Sequence, residues 1–161
     1  DRQIKKIKFI SGNLEKKLKF PDKSFSKVIF LDVLEHLIKR RQILLEIKRI
    51  LKPHGLIFVA IPNNQSSWKK LQRSVGINSF ADPDHKIEYS PIAAKKQLSS
   101  LGYKIISFEP VTLDTPWVGF FDLLGGFSLS LYSRIAKIKK AKVKLYPDES
   151  TGFRIIAGVA L

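Results

Sequence analysis

The chain contains no cysteine and no methionine. The first absence excludes disulfides and thiolate metal sites, and nothing points to an oxidising compartment, so a cytoplasmic location is expected. The second leaves the sequence without an initiator residue, so Asp1 is not expected to be the natural beginning. No apolar run approaches the roughly 18 residues of a membrane span. The start, DRQIKKIKF, lacks a signal peptide's apolar core. Internal repeats and low-complexity tracts are also missing.

What is present is the composition of one globular domain: 161 residues, 44% hydrophobic and 27% charged. The net charge of +15 favours an anionic partner, whether nucleic acid, phospholipid surface or phosphorylated substrate. It does not choose among them, and the Lys- and Ile-rich habit of an AT-rich or heat-adapted source gives the same excess.

IKFIS, residues 7 to 11, reads as a short strand stopped by Gly12 and Asn13. A polar turn around Pro21 and Asp22 follows. KVIFLD (27 to 32) is a nearly continuous apolar strand, expected to be buried on both faces. RRQILLEIKRILK then places Ile43, Leu44, Ile47, Ile50 and Leu51 on one stripe of an amphipathic helix, with Pro53 and Gly55 as its stop. LIFVAIP (56 to 62) is a second buried strand. Strand, helix and strand within about thirty residues make a βαβ unit, so the class is α/β with a mainly parallel sheet. Further on, a helix is expected around SSWKKLQRSVG, a polar loop over ADPDHKIEYSP, and a helix from Ser90 or Pro91 through Leu101. YKIISFEPV and GFRIIAGVAL form a late antiparallel strand pair. Between them, residues 112–151 are an insertion too long for an ordinary loop.

At the end of the strand at 27 to 32 stand Asp32, Glu35 and His36. Asp32-Val-Leu-Glu35 fits a capping box, in which Asp32 accepts from an early helix amide and Glu35 reaches back. His36 has an unperturbed pKa near neutrality and suits a general base.

The residues GNLEKKLKFPDKSFSKVIFLDVLEHL, LLEIKRILKPHGLIFVAIPN and HKIEYSPIAAKKQLSSLGYKIISFE, with the closing GFRIIAGVA, resemble the second half of a class I S-adenosylmethionine-dependent methyltransferase. The group resembled includes quinone-biosynthesis and small-molecule O-methyltransferases. The resemblance implies a Rossmann-like fold with helices on both faces of the sheet, that residues 1–161 are the C-terminal part of one such domain, and that the cofactor is S-adenosylmethionine. Gly12, Asn13 and Leu14 then map to the end of the third strand, where a side-chain oxygen takes the adenine amino group. Asn13 replaces the family's usual Asp, and Ser26 a frequent Asp after Phe25. Leu31, Asp32 and Val33 map to the cofactor wall at the fourth strand, and Asn63 faces the acceptor after the fifth. His36 and His85 are the candidate proton-transfer residues. Some relatives of this kind hold a divalent ion, for which the set here would be Asp32, Glu35, His36 and His85. One family feature is missing: no two glycines are separated by a single residue, so the first strands and the cofactor's glycine loop are not in the chain.

The insertion joins an aromatic apolar stretch, FFDLLGGF, to a basic one, RIAKIKKAKVK. That is the composition of a helix resting on anionic lipid, which gives an expected peripheral membrane contact through 117–144 and a small or lipid-linked acceptor. The same residues would also cover the pocket or a dimer contact. The alternative to an enzyme is a non-catalytic remnant of the fold, its basic surface engaging nucleic acid, membrane or a protein partner.

Overall fold

A computed structural model describes residues 7–159. Its centre is a four-stranded sheet with strands in the order β1-β2-β4-β3, formed by β1 (Phe25–Leu31), β2 (Leu51–Pro62), β3 (Tyr103–Pro110) and β4 (Gly152–Val159). β1 and β2 run parallel, joined by helix α1 (Arg40–Ile50) as the βαβ pattern requires. β3 and β4 form the late antiparallel pair, and β4 lies between β2 and β3. This is the incomplete Rossmann-like α/β arrangement expected, although the sheet is mixed rather than mainly parallel among the described residues, with one parallel pairing and two antiparallel ones.

The apolar stripe of α1 is what fastens it. Ile43, Leu44, Ile47 and Ile50 are buried, packed in one core with Ile57, Val59 and Ile61 of β2 and with Ala94 and Leu98 of helix α3 (Pro91–Ser100). Each buried Val, Leu or Ile side chain among them contributes about 1.5–3 kcal/mol relative to exposure. Ser90 caps α3 by accepting from the Ala93 amide, with Pro91 in the first helical position. Helix α2 (Ser67–Ser74) is capped in the same way by Ser66. The insertion folds as α4 (Val118–Gly125) and α5 (Leu129–Lys142), followed by a 3-10 turn at Pro147–Glu149.

Three expectations are corrected. Residues 7–11 form no strand. Among the described residues nothing pairs with them, and Phe9 is 91% exposed, so β-propensity alone has no ladder to join. β1 is not buried on both faces: Phe30 points into the core while Ile29 and Leu31, on the other face, are exposed, because among the described residues nothing is packed over that face of β1. Helix α1 stops at Ile50, two residues short of Lys52, and Leu51 already has the extended ψ of 138°. Lys52 precedes a proline and is disfavoured in the helical region. Pro53, His54 at φ 60° and Gly55 then form an irregularity at the start of β2, across which the β1 register shifts from Phe25↔Leu51 to Lys27↔Leu56.

Candidate functional site

The parallel strands β1 and β2 end side by side, and the Asp32 amide extends their ladder by donating to the Ala60 carbonyl at 3.2 Å. Asp32 itself has φ 50°, a left-handed conformation that Asp tolerates better than most residues. The chain then enters a 3-10 turn, Leu34–His36, preceded by Val33 and with no side-chain cap. The capping box is therefore absent. Leu34 is buried in the core, and a turn of three residues with that anchor rolls Glu35 inward rather than back toward Asp32. Glu35 is 1% exposed, and its Oε2 is buried with no hydrogen-bond partner among the described residues.

A second segment closes over this turn. The Glu35 carbonyl accepts from the amides of Lys86 at 2.7 Å and Ile87 at 3.3 Å. Tyr89 forms a bridge with Asn63 just beyond β2. These backbone bonds set His85 against His36, ring centroids 4.7 Å apart and planes at 73°. His85 Nδ1 lies 3.0 Å from Glu88 Oε1, and Nε2 lies 3.9 Å from Glu35 Oε1. Because a carboxylate only accepts, Nδ1 carries the hydrogen toward Glu88. Glu88 is itself held by the buried Lys69 at 3.0 Å and by the Ala81 amide at 2.6 Å. Lys69 Nζ also donates to the Ser79 carbonyl.

Burial is the main cause that pushes the Glu35 carboxyl above its usual range. The charge of Asp32 adds to it, while a backbone hydrogen bond and both imidazoles oppose it. One ligand atom each from Glu35, His36 and His85 falls within 4.8 Å of the others. Asp32, the fourth expected member, is not in that group.

The cofactor candidates occupy two neighbouring stretches. Gly12, Asn13 and Leu14 line an open groove of about 420 Å³ running from Ile10 to Phe20. Asn13 Oδ1 accepts from the Glu15 amide at 2.8 Å in a local turn, which leaves one lone pair for another donor. Glu15 Oε1 accepts from the amides of Ile38 at 2.6 Å and Lys39 at 3.1 Å, so this stretch is tied to the connection that follows Asp32, Val33 and the 3-10 turn. Leu31 is exposed and Val33 half-buried. Asn63 is placed differently from its expected role toward an acceptor. It is fully buried, its Nδ2 donates to the carbonyls of Asp148 and Ser150, each at 2.9 Å, and its Oδ1 accepts from the Gln65 amide. Its amide secures the approach to β4.

A family model described as a methyltransferase domain matches residues 1–59. No curated protein sequence matches the chain. Solved structures do match: a S-adenosylmethionine-dependent methyltransferase from Archaeoglobus fulgidus has a TM-score of 0.59 at 19% identity, over 92% of this chain and 66% of that one. A second, from Methanosarcina mazei, has 0.56 at 19% identity, over 93% and 66%. The fold is the one these S-adenosylmethionine-dependent methyltransferases share. The [4+2]-cyclase SpnF shares the methyltransferase fold with this chain, with a TM-score of 0.59 at 16% identity, over 95% of this chain and 56% of that protein. The chain thus spans less than two thirds of the length of these structures.

Set on the methyltransferase fold, the cluster of Glu35, His36 and His85 follows the carboxyl end of a parallel strand, where open α/β sheets bind their ligands. Sequence reasoning found both histidines but missed Glu88 and Lys69. The available signal was His85-x-x-Glu88, an acid one turn from a histidine and directly before the apolar Tyr89.

Proposed function

We propose that the intact protein transfers a methyl group from S-adenosylmethionine to an oxygen, or secondarily a nitrogen, nucleophile of a small or lipid-linked acceptor. His85 carries this reading: its Nδ1 is held by Glu88, so Nε2 is the nitrogen left for proton transfer, 3.9 Å from Glu35 Oε1. When bound, S-adenosylmethionine supplies an electrophilic methyl group on a sulfonium. Asn13 and Leu14 would hold the adenine, and Leu31, Asp32 and Val33 would form the wall behind the methionine end. His85 Nε2 takes the proton of the acceptor, and Glu88 and Glu35 stabilise the imidazolium that results. His36 packs edge-to-face on the His85 ring and helps to orient it. Most of the work is alignment of donor and acceptor.

The fold by itself does not fix the chemistry, since SpnF is a cyclase. Calorimetric titration of the full-length protein with S-adenosylhomocysteine tests the reading. Binding that weakens in Asn13→Ala and Asp32→Ala supports it. Absence of binding at millimolar ligand ends it in favour of a non-catalytic module.

A second reading rests on one observation, the convergence of Glu35, His36 and His85. A divalent cation would fit there, because the buried Glu35 Oε2 lacks a partner and a histidine whose far nitrogen meets a carboxylate is the usual orientation for a ligand. Mn²⁺ or Zn²⁺ should then raise the melting temperature of the full-length protein, and His36→Ala should abolish the rise.

A further inference from the structure

The insertion leaves an apolar end and a basic helix side by side on the surface. Phe127 is 84% exposed, Leu129 88% and Trp117 70%, with Phe120 and Leu123 of α4 also exposed. α4 and α5 are packed together where they join: a Cβ on Gly125 would meet the Tyr132 ring at 3.0 Å and its backbone at 3.3 Å. Phe120, Leu123 and Leu129 are therefore presented by the helix pair itself, Phe127 by the turn that joins the helices and Trp117 by the turn just before α4. Between Leu123 and Pro147 the sequence has no acidic residue, and it carries Arg134, Lys137, Lys139, Lys140, Lys142 and Lys144. Arg134, Lys137, Lys140 and Lys144 are spaced three or four apart and are all exposed, so they form a stripe along the outside of α5 and just past its end. Another side of the pair faces a cavity of about 130 Å³, lined by Ile135, Ile138, Lys139 and Lys142 of α5 with Phe121 and Leu113.

We propose that the α4–α5 pair is a docking surface for an anionic phospholipid bilayer, with Trp117, Phe127 and Leu129 entering the interface and the lysine stripe lying over the headgroups. The charge decides the occupant. A second copy of this chain would bring an equally basic helix against the first, and like charges repel, whereas an anionic bilayer meets apolar and basic residues at once. No helix of the described residues is long and apolar enough to cross a membrane, so the contact is with one face of the bilayer. This surface is separate from the proposed methyl transfer, and its test uses neither cofactor nor acceptor.

The experiment is co-sedimentation of the full-length protein with phosphatidylglycerol vesicles and with phosphatidylcholine vesicles. Binding is expected to the anionic vesicles only, and to fall steeply as salt is raised. Arg134→Gln, Lys137→Gln, Lys140→Gln and Lys144→Gln together should weaken it by on the order of 100-fold, the loss expected when two or three of the four lie within the headgroup layer. Phe127→Ser with Leu129→Ser should abolish it independently; these side chains are exposed, so far-UV dichroism and melting should stay as in the unmodified protein. Equal binding to both lipids, or binding that survives both variants, overturns the proposal. So does self-association that Phe127→Ser with Leu129→Ser abolishes while vesicle binding is absent. Retention on nucleic acid but not on vesicles likewise assigns the stripe to another polyanion.

Discussion

Glu88 and His85 are joined at 3.0 Å inside the protein, and Glu88 has no solvent-exposed side-chain surface. The same carboxylate pairs with Lys69, whose side chain is 8% exposed. Glu88 is thus the common anion of an imidazole and an ammonium, and neutralising it leaves Lys69 buried without its partner. Glu88→Gln should cost about 3–5 kcal/mol in urea denaturation, as breaking one side of a buried ion pair does. Lys69→Met combined with Glu88→Leu should recover much of that loss, because the unpaired charge is then gone. A double variant no more stable than Glu88→Gln would show that the pair is not what holds the 79–88 loop.

Arg49 governs the other stretch of the site. One guanidinium donates to the carbonyls of Leu18 and Phe20 and to the carboxylates of Asp22 and Glu46, at 2.6–3.2 Å. These fork-like contacts hold its pKa above the ordinary arginine value, with Glu46 as the largest cause. A lysine reaches one of these acceptors but not all of them. Arg49→Lys should speed hydrogen exchange at the Leu18 amide, which donates to Glu46, by on the order of tenfold. It should also weaken S-adenosylhomocysteine binding through the neighbouring Asn13 stretch. Unchanged exchange at Leu18 would show that packing of Leu14 and Leu18 on the core suffices.

These two residues mark what the sequence could and could not disclose. The βαβ unit was legible because its periodicities are strong and its helix stripe continuous: every buried residue of α1 was among those anticipated. The late strand pair and the Ser90–Pro91 helix start were legible for the same local reasons. Residues 7–11 were misread because strand formation depends on a neighbour, and propensity does not report one. Glu35 was misread because a capping box and a buried turn share the pattern Asp-x-x-Glu, and only the burial of Leu34 decides between them. Glu88 and Lys69 escaped notice because their partnership spans nineteen residues and has no periodic signature.

Gly152 separates space from backbone freedom. It pairs with Pro62 in the β2–β4 ladder, and a Cβ there would stand 2.5 Å from the Ile61 carbonyl oxygen and 3.3 Å from the Pro62 Cα. Both obstacles are main chain, so relief requires the strands to part. Gly152→Ala should destabilise the fold by at least about 2 kcal/mol. Gly12, with nothing within 4 Å of its would-be Cβ, is the control, and Gly12→Ala should stay within about 0.5 kcal/mol. Equal thermal midpoints for the two variants would contradict the close approach at Ile61.

The buried carboxyl of Glu35 sets a pH dependence whose sign follows from its direction of shift. Its folded pKa is raised, chiefly by burial, so between the unfolded value and the folded one the native state binds more protons than the unfolded chain. Stability then falls as pH rises through that window and is level above it. The buried Asp114 shifts the same way, with desolvation again the largest cause and the Ser66 hydroxyl opposing it. Glu15 and Glu46, lowered by their hydrogen bonds, work against the trend as pH falls. Comparing the protein with Glu35→Gln removes these shared contributions. The variant's stability minus that of the unmodified protein should increase with pH from about 4.5, by at most about 1.4 kcal/mol per pH unit, and then plateau. Urea denaturation across a pH series reads this difference directly. A difference that falls with pH would mean that His36 and His85, which face Glu35, hold it as a carboxylate and outweigh its burial.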